Sequence, residues 1–450
     1  IRIEKADKRI ACLLFPVFCV TGSFFHCGFP YDFPCRYSRG RLSDGRSYCG
    51  FVSGFCLYNS CFRNLPCDSP LPKAIMRTVR AFMYRIYEIR KGGAAMELPA
   101  AFEKRMQDML GAEYTAFRAS YNEPHKRGIR LNTVKCTKEQ LERALPFTLV
   151  QTPFSPLSFY APTDTKMAAL PLYHAGAFYS QEPSASSTVT LLAPEPGDKV
   201  LDLCAAPGGK STQIAALTGD TGLLWSNEVV RNRAAILSSN LERMGVRNTV
   251  VSSVYPEMLA EKLGGYFDKV LVDAPCSGEG MFRRDPVAVQ EWSPEHVETC
   301  AVRQLAILSS AAQCVREGGI LVYSTCTFST EENEGVVQKF LESHPEFVLE
   351  KPNVTFGRPA YGVDAVRIFP MDGGEGHFAA RFRRVAPCEE RFAPFSFKPD
   401  RETQAHAEEL YTSLFADAPG RFQRVRDRVI LLPNELPDIA GLSVLRAGVE

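Results

Sequence analysis

The sequence predicts an α/β fold built around an open, mostly parallel sheet, and three observations lead to this class. Residues 200–203 form a largely apolar run that contains Asp202, and a glycine-containing turn and a stretch with helical spacing follow it. Strand-like and helix-like segments then alternate up to about residue 384. The second apolar segment ends at an acidic residue, Glu228. Together these features predict a doubly wound, Rossmann-like sheet with its ligand at the carboxyl ends of the strands.

Hydrophobic periodicity assigns the individual elements of this sheet. The strand candidates are residues 199–204, 222–228, 249–253, 269–273 and 319–324. The helix candidates are residues 231–244, 294–316 and 331–343. Residues 377–384 alternate between apolar and polar side chains, which predicts a late, antiparallel strand at the edge of the sheet.

Smaller units flank the predicted sheet domain, which spans residues 186–385. Residues 96–185 contain two short helices and a strand with basic side chains, and they predict a small N-terminal α/β module. Residues 391–450 predict a second, partial C-terminal domain. Basic side chains cluster near residues 125–130 and near residues 421–428, and each cluster fits a solvated surface or a phosphate-binding surface.

Residues 1–95 differ from the rest of the chain. They carry 15 basic against 6 acidic residues, whereas the whole chain of 450 residues has a formal net charge of +1. They lack a sustained helical or strand period. Residues 91–96 (KGGAAM) back-translate to a purine-rich stretch in front of a start codon. We therefore expect translation to begin at Met96, with a disordered extension as the alternative.

The cysteines and the composition indicate a protein of a reducing compartment. Eight of the 15 cysteines precede residue 68, and none of these forms a C-x-x-C pair, so no metal site is predicted. The others are scattered singly, as free thiols are. The composition is that of a globular protein. We expect a cytoplasmic, monomeric protein that does not associate with membranes.

The loop at residues 204–210 fits two classes of ligand. Residues 209–212 (GKST) look like the end of a phosphate-binding P-loop. The first glycine of that pattern falls at Cys204, and the phosphate nest needs that glycine. The other ligand is S-adenosyl-L-methionine (SAM), whose ribose hydroxyls bind an acidic residue at the end of the second strand, where Glu228 stands. The sequence favours a SAM-dependent methyltransferase, with a P-loop NTPase as the alternative.

Two cysteines lie in loops that follow adjacent predicted strands. Cys276 belongs to residues 273–278 (DAPCSG), and Cys326 belongs to residues 324–327 (STCT). Carbon 5 of cytosine is too weak a nucleophile to take a methyl group until a thiolate adds to carbon 6. Asp273 is placed to hydrogen-bond the activated ring, and Lys210 favours the thiolate. The residues alone do not decide which cysteine adds.

The three motifs together resemble the NOL/NOP/Sun family of RNA cytosine-C5 methyltransferases. Residues 178–185 and 278–283 resemble its bacterial branch that methylates small-subunit rRNA. The resemblance covers about residues 96–384 and, more weakly, the C-terminus. It implies that Cys326 is the nucleophile and that Cys276 assists product release. A departure follows the third predicted strand, where the family usually has a carboxylate and this chain has Ser252 and Ser253.

The resemblance also implies the cofactor site and the partner. The implied SAM contacts are Cys204, Ala205, Ala206, Pro207, Gly208, Gly209, Lys210, Glu228, Arg233 and Asp273. The implied partner is RNA, either ribosomal RNA or the small ribosomal subunit. The same chemistry on tRNA, and a non-catalytic RNA-binding protein that retains the fold, stay open as alternatives.

Overall fold

The computed structural model describes residues 96–396, 398, 400–415 and 420–450. The prediction of a leader over residues 1–95 falls outside these residues. The described helices are α1 (Ala100–Leu110), α2 (Tyr114–Ser120), α3 (Lys138–Ala144), α4 (Pro171–His174), α5 (Ser187–Leu192), α6 (Gly209–Thr218), α7 (Arg231–Arg243), α8 (Pro256–Lys262), α9 (Pro286–Glu291), α10 (Pro294–Cys314), α11 (Glu334–Ser343) and α12 (Arg401–Leu414).

The described strands form three sheets. They are β1 (Arg127–Leu131), β2 (Val150–Gln151), β3 (Ser158–Ala161), β4 (Phe178–Gln181), β5 (Lys199–Asp202), β6 (Leu223–Asn227), β7 (Thr249–Ser252), β8 (Phe267–Asp273), β9 (Val315–Thr325), β10 (Phe347–Glu350), β11 (Arg358–Pro359), β12 (Ala365–Ile368), β13 (His377–Arg384), β14 (Phe422–Val425), β15 (Arg428–Leu431) and β16 (Val444–Ala447).

The N-terminal module contains a small antiparallel sheet in the order β2-β3-β1-β4. Helix α3 begins with a capping box, in which the Thr137 side chain accepts from the backbone of Gln140 and the Gln140 side chain accepts from the backbone of Thr137. Strand β1 carries Arg130, whose side chain is fully buried and donates to Gln181 and to the carbonyl of Gly209. The module is therefore bonded directly to the start of helix α6.

The main sheet runs in the order β11-β12-β13-β9-β8-β5-β6-β7-β16, and β10 pairs with β13. Strands β9, β8, β5, β6 and β7 are parallel to one another. The chain runs outward from β5 to β7 and then returns to β8 on the other side of β5. This reversal opens a crevice at the carboxyl ends of β5 and β8, where ligands bind in open α/β sheets. The Rossmann-like α/β prediction is confirmed.

Both faces of the parallel strands are buried. The neighbouring residues Val200 and Leu201 point to opposite faces of β5, are fully buried, and belong to separate apolar clusters. Val270 and Leu271 of β8 divide in the same way. This burial explains why these strands read as continuous apolar runs and not as alternating patterns.

Strand β13 is antiparallel to β9, as predicted, but the expectation that it lies at the edge was wrong. Strands β10 and β12 both pair with it, and their short, mixed sequences gave no sign that the sheet continues. At the opposite end, β16 pairs antiparallel with β7, so part of the predicted C-terminal domain extends the main sheet. Within the described ranges, no helix is long and apolar enough to cross a membrane.

Candidate active site

A cleft of about 320 Å³ opens at the carboxyl ends of β5, β8 and β9. Three predicted loops meet there, together with the end of β4 and the start of β13. Its lining includes Tyr179, Gln181, Glu182, Asp202, Cys204, Ala205, Ala206, Pro207, Gly209, Lys210, Asp273, Arg284, Cys326, Glu375 and His377.

The loop after β5 is fixed by helix α7. Asn240 donates to the carbonyl of Pro207 at 2.9 Å, and Arg233 donates to the carbonyl of Ala206 at 3.2 Å. Gly208 precedes helix α6 with a φ of 109°, a conformation that favours glycine. The loop is thus rigid and presents its backbone to the cleft at the start of a helix.

Asp202 at the end of β5 has one oxygen free for a ligand. The side chain is fully buried, and its Oδ2 accepts from Ser211 Oγ at 2.6 Å. Among the described residues, nothing donates to its Oδ1. Burial raises the pKa of Asp202 to about 7, and the nearby Asp273 contributes to the rise. A buried, unpaired carboxylate oxygen in the cleft fits the positively charged ammonium group of SAM.

Glu228, the predicted ribose ligand, is buried and is not among the residues that line the cleft. Its Oε1 accepts from the backbone of Val230 at 2.9 Å, and its Oε2 pairs with Arg233 at 3.1 Å. Ser252, which stands where the family usually has a carboxylate, accepts from Trp225 Nε1 and donates to Asn227. The hydroxyl of Ser252 is therefore engaged in the core.

Asp273 ends β8 and holds the centre of the polar network. Lys210 Nζ lies 2.6 Å from its Oδ2, Ser324 Oγ donates to its Oδ1 at 2.9 Å, and His377 Nε2 lies 3.7 Å from its Oδ1. Burial raises the pKa of Asp273, but Lys210 and His377 outweigh burial and hold it well below the usual range. Burial alone would lower the pKa of Lys210, but the negative charges of Asp273 and Cys326 outweigh burial and raise this pKa. Asp273 is a carboxylate and Lys210 an ammonium at neutral pH.

The two predicted cysteines converge. Cys276 Sγ lies 3.3 Å from Cys326 Sγ, and Cys326 lines the cleft while Cys276 stands behind it. The hydrogen bond to Cys326 raises the pKa of the Cys276 thiol well above its usual value, and burial and Glu332 raise it further. The hydrogen bond shared with Cys326 and burial therefore keep the Cys276 thiol protonated at neutral pH.

A buried carboxylate joins the two cysteine loops. Glu332 is fully buried, and it accepts from the backbone and the hydroxyl of Ser277, at 2.9 and 2.5 Å, and from Gln304 Nε2 at 2.8 Å. The hydroxyls of Ser277 and Thr327 lie 2.9 Å apart and connect the loops directly. These bonds fix the spacing of the two sulfurs.

The loops also touch through their backbones. The amide of Gly280 donates to the carbonyl of Cys326 at 2.8 Å, and a Cβ on Gly280 would lie 2.9 Å from that oxygen. Only glycine fits this approach. Glu279, fully buried beside it, accepts from the amide of Phe328 and from Trp292 Nε1.

The structure brings most of the predicted site residues together. The predicted site residues that do not line the cleft are Gly208, Glu228, Arg233 and Cys276. Sequence reasoning did not assign Asp202, Arg284, Glu375 and His377 to the site. The alternating pattern of residues 377–384 predicted that His377 lies on a strand. The sequence did not predict that this strand pairs with β9, which brings His377 close to Asp273.

A Rossmann-like sheet with this loop, Asp202 and the paired Lys210 and Asp273 defines a SAM-dependent methyltransferase. Residues 189–383 match the family model for the 16S rRNA methyltransferases RsmB/F, and residues 98–183 match that for the N-terminal domain of 16S rRNA methyltransferase RsmF. The chain belongs to the RsmB/F family of methyltransferases.

Two relatives that share one name match much of the chain. It is 36% identical over 380 residues to ribosomal RNA small subunit methyltransferase F of Vibrio cholerae, spanning 79% of this chain and 80% of that protein. It is 38% identical over 306 residues to the Erwinia tasmaniensis protein of that name, and the match spans 64% of each.

Solved structures share the fold. A methyltransferase homolog from Pyrococcus horikoshii superposes with a TM-score of 0.56 and 28% identity, covering 66% of this chain and 97% of that one. NSun6 from Pyrococcus horikoshii, solved with SFG, gives a TM-score of 0.57 and 25% identity, covering 64% and 98%.

Proposed function

We propose that this protein transfers a methyl group from SAM to carbon 5 of a cytosine in small-subunit ribosomal RNA. The observation that carries the proposal is the pair of thiols, 3.3 Å apart, beside the Lys210–Asp273 ion pair. The family and the names of the relatives support rRNA as the substrate. An rRNA substrate places the reaction in the cytoplasm.

Cys326 is the nucleophile in this proposal. Cys326 lines the cleft, and its sulfur contributes to the raised pKa of Lys210. The interaction is mutual, because the Lys210 ammonium in turn favours the thiolate form of Cys326. Cys276 is the poorer nucleophile because its raised pKa keeps it a thiol. The residues alone left open which cysteine adds to the ring. The roles proposed here agree with those that the family resemblance implies.

Side chains of the cleft stabilise the charge that develops on the cytosine ring during the reaction. The Cys326 thiolate adds to carbon 6, and the negative charge that enters the ring lies near the Lys210 ammonium, while Asp273 accepts from the exocyclic amine. When bound, SAM supplies an electrophilic methyl group to carbon 5. A base then removes the proton from carbon 5, and Cys326 leaves as a thiolate that the Cys276 thiol stabilises by a hydrogen bond.

Replacement of the nucleophile tests the proposal. We expect Cys326→Ala to lower methyl transfer from tritiated SAM to 16S rRNA by at least 10³-fold, because covalent activation of the ring is lost. Affinity for S-adenosylhomocysteine, measured by calorimetry, stays within about twofold. Cys300→Ala, a buried cysteine on helix α10, is the matched control and retains transfer. Undiminished methylation by Cys326→Ala contradicts the mechanism.

Replacement of Cys276 gives a second readout. We expect Cys276→Ala to accumulate a covalent enzyme–RNA adduct, because the leaving sulfur loses its hydrogen-bond donor while addition still proceeds. The adduct appears as a slower band on a denaturing gel and is absent in the Cys276→Ala/Cys326→Ala double variant. A gel without this band counts against the two roles assigned to the cysteines.

A further inference from the structure

A second pocket lies beside the cleft, on the N-terminal module. This side pocket, about 520 Å³ in volume, is lined by His125, Lys126, Arg127, Tyr160, Thr163 and Gly373, among others. The amide of Lys126 donates to Glu375, which lines the cleft itself. This hydrogen bond connects the side pocket directly to the cleft.

Positive charge is concentrated where the two pockets meet. Arg283 is buried against Glu375 and donates to the carbonyls of Glu123 and Pro124, which ties the loop before β1 to the loop after Cys276. The adjacent Arg284 is exposed and lines the cleft. Across the described ranges, no carboxylate lies within 4.0 Å of the guanidinium group of Arg284 or Arg127.

The pKa of His125 reflects this positive charge. Burial lowers the pKa of His125, and the positive charges of Arg284, Arg127 and Arg283 lower it further. The arginines that surround His125 come from two loops and create a positive electrostatic potential, which favours the binding of an anion. Glu123 offsets part of it by pairing with Lys126 Nζ at 3.4 Å.

The side pocket also offers an aromatic surface. Tyr160 of β3 is half-buried, and its hydroxyl donates to the carbonyl of Gly373 at 2.9 Å, which holds the ring in place. Cations beside a fixed aromatic ring are the elements with which proteins bind single-stranded nucleic acid: the cations take a phosphate and the ring stacks a base.

We propose that the side pocket binds the nucleotide adjoining the target cytidine in the RNA strand, its phosphate on Lys126, Arg127 and Arg284 and its base against Tyr160. This inference rests on the proposed function, because a target base must leave its stack to reach Cys326 and its neighbour must then be held in place. A nucleotide bound here fixes the strand while the target enters the cleft.

The binding of phosphate is tested with Lys126→Gln/Arg284→Gln. We expect the KM for 16S rRNA to rise at least tenfold, and the slope of log KM against log salt to fall by ~0.7 for each phosphate group that the variant no longer neutralises. The matched control is Lys339→Gln/Lys351→Gln, two exposed lysines away from both pockets, which leaves KM and slope as they are. A wild-type KM and slope in the test variant overturn the proposal.

The stacking of the base is tested with two variants of Tyr160. We expect Tyr160→Leu to raise the KM about tenfold, because the aromatic surface is removed, and Tyr160→Phe to stay within about twofold, because the ring remains. An equal rise in KM for the two variants indicates that only the bond to Gly373 matters, and it overturns the stacking role. Competition by cytidine monophosphate or inorganic phosphate at low millimolar concentration indicates a free-ligand site and also overturns the proposal.

Failure of the proposed function has a different signature. In that case the wild-type protein transfers no methyl group to 16S rRNA, either naked or in reconstituted small subunits. Fluorescence anisotropy with a labelled single-stranded 12-mer RNA then still tests the side pocket. Weaker binding by Lys126→Gln/Arg284→Gln than by the lysine control supports the pocket, and equal binding overturns it.

Discussion

Asp202 and Asp273 lie in the same cleft, yet their surroundings shift their pKa values in opposite directions. Asp273 has an ammonium 2.6 Å away and stays ionised, whereas Asp202 has only a hydroxyl donor and titrates near pH 7. A cationic ligand would provide the positively charged partner that Asp202 lacks. The sequence predicted that residues of this kind end both strands, but their ionisation depends on partners from other parts of the chain.

Asp202 makes cofactor binding depend on pH. We assign the ammonium group of the ligand to the ionised carboxylate of Asp202. Since this carboxyl has a pKa of about 7, we expect the affinity for S-adenosylhomocysteine to rise about tenfold from pH 6 to pH 8. Calorimetry across this range measures it. We expect Asp202→Asn to bind more weakly and without this slope.

Glu375 provides the control, since burial raises the pKa of this second carboxyl of the cleft to about 7 as well. Glu375→Gln should retain the slope. A slope that disappears in Glu375→Gln, or persists in Asp202→Asn, contradicts the assignment.

At the scale of elements, the site depends on two loops that β8 and β9 bring side by side. The parallel pairing that sets Asp273 opposite Ser324 aligns the loops, and Glu332 joins them. Sequence motifs predicted the strands, the loops and the meeting of the thiols, because carboxyl ends of adjacent parallel strands share an edge. They did not predict Glu332, since its partner Ser277 is 55 residues away and only the fold brings them together.

Removal of this carboxylate should reduce catalysis more than cofactor binding. Glu332→Ala leaves the buried amide of Ser277 without its acceptor and removes one of the two acceptors of Gln304 Nε2, which costs about 1–3 kcal/mol of unfolding free energy for each donor left unpaired. We expect kcat to fall at least tenfold as the thiols lose their spacing, with unchanged affinity for S-adenosylhomocysteine. Urea unfolding and steady-state kinetics measure the two effects.

The neighbouring Glu331 gives a matched control in the same loop. Its side chain is about half exposed and pairs with Arg105 at 3.3 Å. Glu331→Ala should cost less than about 1 kcal/mol and leave kcat within twofold. If the two variants behave alike, Glu332 has no positioning role.

For the whole molecule, the last described segment belongs to the same core as the sheet. Leu432 and Leu436 are buried in the apolar cluster that contains Trp225 and Val270. The sequence predicted a separate, partial domain over residues 391–450. The packing of these two leucines depends on side chains more than 150 residues earlier, which local sequence does not reveal.

A leucine from this segment should therefore control the stability of the sheet. We expect Leu436→Ala to lower the free energy of unfolding by about 2–4 kcal/mol, because it leaves a cavity in the shared core. Tryptophan fluorescence during urea unfolding reports it, since Trp225 is fully buried in that cluster. Leu414→Ala, on an exposed position of α12, should shift the midpoint little. A tryptophan transition unaffected by Leu436→Ala would show that the segment unfolds independently.

The close approach of Cys276 and Cys326 makes the enzyme sensitive to oxidants. Their sulfurs are about 1 Å farther apart than in a disulfide, so a mild oxidant that takes up two electrons and two protons should convert the pair to cystine. Treatment with hydrogen peroxide should abolish methyl transfer, and dithiothreitol should restore it. In Cys276→Ala the same treatment should yield no intramolecular crosslink by mass spectrometry. We therefore expect methyl transfer to depend on the redox state of this cysteine pair.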